Sequence, residues 1–283
     1  MTGGGRSRYG YYALQLYVVV CAVPAIVGLC AWWAGRHVGV VWLGGAGVGL
    51  CAYAGLQAVG CWLGVYVLPE GRVTRARRTA TSLADGPIDC LVDIGAGRGV
   101  LSVEFAKALD ARRVIAVDLW TRPARSHGLN YDRSAPVFAH TAAHTRRNVG
   151  IEGMSDRVHL VTTDATRLGI RSESADVVTA GYVLFHLHEG GRRRSDERRL
   201  LALHEWRRVL RPGDRLVVFD LTHTGWTNLL AWTPVGYVAS RWLSTRLTPA
   251  YWAALLTAAG FDVDRCEERR GNLVLVARKL PEQ

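Results

Sequence analysis

Hydrophobic and polar positions divide this chain into two parts that follow different rules. From Tyr9 to Gly35, 27 residues, and again from Val38 to Leu68, 31 residues, no charged side chain occurs. Each run exceeds the roughly 20 residues with which a helix crosses a bilayer. Arg36 and His37 form the break between them. The pattern predicts a transmembrane helical hairpin within residues 1–69, with spans at about 10–35 and 38–68. A cleavable leader fits less well, because its apolar core is shorter and no second long run would follow at once. Tyr9, Tyr11, Tyr12, Trp32, Trp33, Trp62 and Tyr66 lie near the ends of the runs, where an interfacial aromatic belt belongs. Gly45/Gly49 and Gly60/Gly64 are spaced to let helices approach closely.

After a basic stretch at 70–88, read as a linker, the pattern changes to short apolar runs alternating with helix-period segments. Strands are predicted at Cys90–Gly95, Arg113–Leu119, Arg157–Ala165, Ala175–Leu184 and Arg215–Leu221, with helices at Val100–Asp110, up to about Val149, and at Glu197–Leu210. A last helix, Pro249–Gly260, precedes two strands, Phe261–Arg270 and Asn272–Lys279, joined at Gly271. Alternation at this spacing predicts an α/β domain at 89–283: a Rossmann-like, doubly wound parallel sheet with helices on both faces.

Charge changes the picture at one point. The net charge is +11, and residues 1–80 hold seven Arg and one Glu, so the bias is strongest beside the apolar runs. That favours a membrane surface over nucleic acid. Arg6 and Arg8 precede the first span, and Arg72, Arg75, Arg77 and Arg78 follow the second. Both termini and the α/β domain are therefore expected on the cytoplasmic side of a two-pass cell-membrane protein. The six cysteines have no metal-ligand spacing, and His140 with His144 lacks a carboxylate partner, so no metal site is expected.

The candidate chemistry gathers at the ends of the strands. Asp93-Ile94-Gly95-Ala96-Gly97-Arg98-Gly99 reads as a strand end, a glycine turn and a helix start. Asp118-Leu119 ends the second strand and Asp164-Ala165 the third. In an open parallel sheet a ligand lies across the carboxyl ends of the strands, where these acids meet. Asp118 suits a ribose diol, and Asp164 with its neighbouring amide suits the amino edge of adenine. A dinucleotide fingerprint would need glycine where Val100 stands.

The spacing Gly95-x-Gly97-x-Gly99 resembles motif I of class I S-adenosylmethionine-dependent methyltransferases, closest to the ubiquinone/menaquinone-biosynthesis subgroup. Glu205–Leu216, with Arg211-Pro212-Gly213, resembles the family's late helix–turn–strand signature, except that Asp214 replaces the usual second glycine. The resemblance covers about 88–279. It implies a seven-stranded sheet whose last strand pair is antiparallel, S-adenosyl-L-methionine as cofactor, Asp118 as the ribose acid and Asp164-Ala165 as the adenine pair. The cofactor residues expected are Asp93, Gly95, Ala96, Gly97, Gly99, Asp118, Leu119, Asp164, Ala165 and Gly181.

For the acceptor side, Tyr182, His186 and His188 follow the fourth strand, beside the place of the methyl group. A histidine there can act as base, although methyl transfer needs one only for a poorly acidic acceptor. Trp120, Arg122, Arg125, His127 and Tyr131 form a loop that could cover the cofactor, and Arg192–Arg194 with Arg198 and Arg199 read as a solvated helix start. The insertion 222–247 carries Trp226, Trp232, Tyr237 and Trp242 with Arg241 and Arg246, a composition suited to a bilayer interface. The expected function is methyl transfer to a hydrophobic or lipid-like acceptor at the cytoplasmic face, with the hairpin also available for self-association. Methylation of a soluble small molecule or protein by a tethered enzyme, or a non-catalytic membrane scaffold, are the alternatives.

Overall fold

The computed structural model describes residues 14–62, 68–120, 141–187, 192–222, 248–269 and 272–281. They fall into two compact units, whose boundary lies after Arg72. The first is a pair of helices, α1 (Leu14–Val38) and α2 (Val41–Trp62), reversed over Gly39, which has φ +74°. The seam between them is made of glycine. A Cβ on Gly47 would stand 2.4 Å from Trp32 N and 2.5 Å from Gly28 O, and one on Gly35 2.3 Å from Gly44 N. The expected seam glycines Gly45 and Gly49 instead have nothing within 4 Å and lie outside the contact. Periodicity explains the difference: α2 presents Gly47 and Cys51, one turn apart, to α1, and Gly45 and Gly49 fall on another face. Of the expected second pair, Gly64 lies outside the described residues, as does the side of the helix at Gly60.

Among the described residues, Val41–Val59 alone is long and apolar enough to cross a membrane, with mean hydropathy 1.2 over 19 residues. α1 is longer but contains Pro24 and ends in Arg36 and His37. The expected two-pass topology is therefore not shown by the length and composition of the described residues, which hold one qualifying span.

The second unit is built on a seven-stranded sheet: β1 (Cys90–Ile94), β2 (Arg113–Asp118), β3 (Val158–Thr162), β4 (Ala175–Gly181), β5 (Leu210–Leu221), β6 (Phe261–Arg269) and β7 (Asn272–Lys279). Its order is β3-β2-β1-β4-β5-β7-β6. β1 to β5 run parallel, and β7 lies antiparallel to both β5 and β6. All five residues of β1 are buried, as expected for a parallel strand covered on both faces. On one face Val92, Ile94, Val178 and Ala180 pack with Trp206 of α6 (Arg192–Val209) and Trp252 of α7 (Pro249–Ala258). On the other, Leu91, Val177 and Phe219 pack with Phe105 of α4 (Val100–Ala108) and Val149 of α5 (Ala142–Ile151).

The structure departs from the expected elements at several places, among them β5, which begins at Leu210 rather than Arg215, and β3, which ends at Thr162 rather than Ala165. The stretch read as a linker at 70–88 is helical through α3 (Leu68–Thr81), and its Ala76 and Ala80 are fully buried in the second core. Its arginines hid this in the sequence, because only small residues face inward. α6 begins at Arg192 rather than Glu197, and its arginines are not all solvated: Arg199 is 0% exposed and Arg198 9%. β4 ends at Gly181 rather than Leu184, because Tyr182 takes a left-handed φ of +60°. The aromatic loop residues Arg122, Arg125, His127, Tyr131 and His140, the insertion from 223 to 247, and His188 lie outside the described residues.

Candidate active site

The order of strands reverses between β1 and β4, so a crevice opens at their carboxyl ends. The glycine turn after β1 forms one wall. Gly95, Gly97 and Gly99 have φ of +68°, +53° and +84°, a region that L side chains enter at a cost. At Gly95 space excludes a side chain as well, since a Cβ would come 2.2 Å from Val183 Cγ2; one on Gly99 would fit tightly, 3.2 Å from Thr145 Cγ2. Ala96 N donates to Val117 O at 3.0 Å, which ties the turn to β2. The turn is thus a bare backbone cradle.

Asp93 sits beneath this cradle, 1% exposed. Thr179 Oγ1 donates to its Oδ1 at 2.9 Å, and Ser102 donates to it through both hydroxyl and backbone N–H. It therefore locks together β1, β4 and the first turn of α4. Burial pushes the Asp93 carboxyl up to about 6, against the lowering effect of those hydrogen bonds.

Asp118 stands at the end of β2, half-buried, facing the turn. Gly97 N donates to its Oδ2 at 2.7 Å and Trp120 N to its Oδ1 at 3.1 Å, with Leu119 N a further donor. Burial raises its pKa, and the three N–H groups oppose the rise. β3 ends alongside, where Thr163 N donates to Asp118 O at 3.2 Å. One residue on, Asp164 Oδ1 accepts from Thr166 N at 2.8 Å and Thr166 Oγ1 at 2.7 Å, with Arg198 Nη2 3.7 Å from its Oδ2. Ala165 O accepts from Trp206 Nε1 at 2.9 Å. The acids expected for ribose and adenine thus come together on adjacent strand ends.

Gly181 and Tyr182 form the other wall. A Cβ on Gly181 would meet Leu101 Cδ1 at 2.9 Å. Tyr182 N donates to Phe219 O at 2.7 Å, and its hydroxyl bonds with Arg75 and Asn272. His186, half-buried, lies in a 3-10 turn, Leu184–His186, with its ring 4.2 Å from that of Phe185. Asp176 is at the opposite end of the sheet, where it accepts from Cys90 N and pairs with Arg211. Among the described residues no cluster of His, Cys, Asp or Glu could hold a metal.

Several residues that shape the site carried no motif. Trp120 Nε1 donates to Gly97 O and Thr145 Oγ1, each at 3.1 Å. Thr145 Oγ1 also donates to Gly97 O, and Asn148 Nδ2 to Arg98 O at 3.0 Å. α5 thereby pins the turn from below. The available signal was a polar pair, Thr145 and Asn148, one turn apart beside apolar Val149 on the buried face of a helix.

This sheet, with its glycine cradle and its acid after β2, defines a Rossmann-like methyltransferase fold. Residues 92–218 match the family model described as a methyltransferase domain. Solved structures of the same fold include a candidate O-methyltransferase from Nostoc punctiforme, 18% identical, TM-score 0.52, over 73% of this chain and 56% of that one. An O-methyltransferase family protein from Burkholderia thailandensis is 14% identical, TM-score 0.52, over 83% and 61%. A SAM-dependent methyltransferase from Aquifex aeolicus is 14% identical, TM-score 0.50, over 73% and 90%. The chain therefore spans less than two thirds of the first two. No curated protein sequence matches it. Residues 92–218 thus match a methyltransferase domain, and the sheet unit has the fold of these solved structures. The residues present fit S-adenosylmethionine: Gly95 has no room for a Cβ, which keeps the turn bare backbone, and Asp118 at the end of β2 offers a carboxylate that can accept from a diol.

Proposed function

We propose that this chain is a membrane-attached methyltransferase that modifies a hydrophobic or lipid-like acceptor at the cytoplasmic face. The observation that carries the proposal is the inside-out character of α1 and α2. Gly28, Gly35 and Gly47 are buried between them, whereas Val23, Ile26, Leu29, Trp33, Val41 and Trp42 are each more than half exposed. Twelve of the fifteen large hydrophobic side chains exposed among the described residues lie between Val23 and Val59. Water penalises such a surface by roughly 25 cal/mol per Å², while lipid does not, and glycine seams are how helices associate in lipid. Both helices then cross as a hairpin, with the arginines on its outer flanks on the cytoplasmic side. That is also the side on which the cofactor is made.

In this reading the glycine turn receives the methionine part of the cofactor and Asp118 its ribose, with Leu119, Asp164 and Ala165 around the adenine. Asp93 positions the cradle from beneath. Bound there, S-adenosylmethionine supplies a methyl group already activated on a sulfonium. The protein's contribution is alignment: Gly181 clears the path at the end of β4, and Tyr182 and His186 border the acceptor, His186 taking a proton where the acceptor is a poorly acidic hydroxyl. Membranes containing the full chain are incubated with methyl-labelled S-adenosylmethionine and extracted. Label in the lipid fraction is the expected result; label confined to water-soluble molecules or protein overturns the lipid acceptor.

A further inference from the structure

Three half-buried polar side chains meet at the carboxyl edge of the sheet from three separate elements. Arg75 comes from α3, Tyr182 from the residue just after β4 and Asn272 from the first residue of β7. Arg75 Nη1 donates to Tyr182 Oη and to Asn272 Oδ1, each at 3.1 Å, and Tyr182 Oη donates to the same Asn272 oxygen at 3.1 Å. Asn272 pairs with Leu221 at the end of β5, so the cluster lies over β4, β5 and β7. Asp118 ends β2, on the other side of β1.

The charge balance of this cluster is incomplete. Both acceptors of Arg75 are neutral, and no carboxylate among the described residues pairs with it. Arg77, two residues on, is paired with Glu104 at 2.8 Å although its own side chain is 66% exposed. The two hydrogens of Nη1 are used, so the guanidinium is held in one orientation. Nε and Nη2, the adjacent donors that together grip a carboxylate side-on, make no hydrogen bond among the described residues. A held cation with an open fork is a receptor for an anionic oxygen pair.

We infer that Arg75, oriented by Tyr182 and Asn272, is an anion anchor that binds a carboxylate-like group of a reaction ligand in the crevice. Two groups have that chemistry: the amino-acid carboxylate of the cofactor and an acidic head group on the acceptor. The second rests on the lipid-like acceptor proposed above. In either case α3, the helix that follows directly on α2 in the chain, supplies a binding residue to the catalytic unit. A lysine would not replace it, because a point charge lacks the fork.

The test uses the full chain in detergent, with Arg75→Gln and Arg75→Lys. Calorimetry measures affinity for S-adenosylhomocysteine and for 5′-methylthioadenosine, which keeps the nucleoside but lacks the amino-acid carboxylate. Label transfer into lipid gives KM for the membrane acceptor. If the anion is the cofactor's, Arg75→Gln lowers S-adenosylhomocysteine affinity at least tenfold and leaves methylthioadenosine unchanged. If it is the acceptor's, both affinities hold and the acceptor KM rises at least tenfold. In both cases Arg75→Lys recovers only part. Equal loss of both nucleoside ligands, which marks a packing role, or no loss in any measurement, overturns the anchor. Should the wild type transfer no label to lipid, the acceptor reading fails by itself, and the anchor is decided by S-adenosylhomocysteine against methylthioadenosine.

Discussion

Replacing Asp118 by alanine removes the carboxylate that holds the ribose in the proposed reading, and its cost can be worked from the contacts. A ribose diol offers that carboxylate two hydroxyl donors, and a hydrogen bond to a charged group is worth roughly 1.5–3 kcal/mol. Gly97 N at 2.7 Å and Trp120 N at 3.1 Å already occupy part of its acceptor capacity, so the lower end applies to each. The loss is then about 3 kcal/mol, on the order of 100-fold in affinity at 1.4 kcal/mol per tenfold. The same substitution leaves the three N–H groups without their acceptor, which costs roughly 1–3 kcal/mol of stability for each one kept from water. The variant should therefore melt lower, and binding must be measured below its transition. Asp118→Asn keeps one acceptor oxygen and loses the charge, so it should fall between alanine and the wild type. Calorimetric titration with S-adenosylhomocysteine reads all three. A folded Asp118→Ala protein that binds within about threefold of the wild type would refute the assignment.

Further expectations concern the turn, the buried acid and the helix seam. Gly95→Ala combines a left-handed φ of +68° with a Cβ 2.2 Å from Val183 Cγ2, whereas Gly213 has φ +81° in open space. Gly213→Ala should cost about 1–2 kcal/mol of backbone strain and Gly95→Ala clearly more, in thermal or urea unfolding; equal losses would show that the cradle yields easily. The Asp93 carboxyl holds its proton up to about pH 6 in the folded protein, against 3.8 for an unperturbed carboxyl. The folded state then binds more protons than the unfolded state across that window, so this group's contribution falls as pH rises through it. Asp93→Asn should gain on the wild type by up to about 3 kcal/mol between pH 4 and 6.5, at 1.36 kcal/mol per unit; parallel stability curves in urea would contradict this. Gly47→Leu must push α1 and α2 apart, since the Cβ meets backbone at 2.4 Å, whereas Gly45→Leu meets nothing within 4 Å. Loss of folded full-length protein from membranes is expected for the first and not the second, and similar yields would dismiss the seam.

Much of this protein was legible along the chain because its strongest signals are local. Buried parallel strands must be continuously apolar, and a tight turn with left-handed φ favours glycine, so β1, β2 and the Gly95–Gly99 turn could be read directly, as could Asp118 at the end of β2. The antiparallel β6–β7 pair followed from the family resemblance. What tertiary structure alone decided depends on partners distant in sequence. α3 read as a basic linker because its inward face is only alanine. Arg199 read as solvated, yet it is buried, donating to Leu184 O at 2.9 Å and Tyr251 Oη at 2.7 Å. Gly28, Gly35 and Gly47 became the seam, and Gly45 and Gly49 did not, because helix rotation rather than spacing selects the face in contact. Arg75, Tyr182 and Asn272 span almost 200 residues, and nothing in any one segment announces the other two. Composition and periodicity report what a segment must bury; which charge meets which oxygen is settled only when the strands are brought side by side.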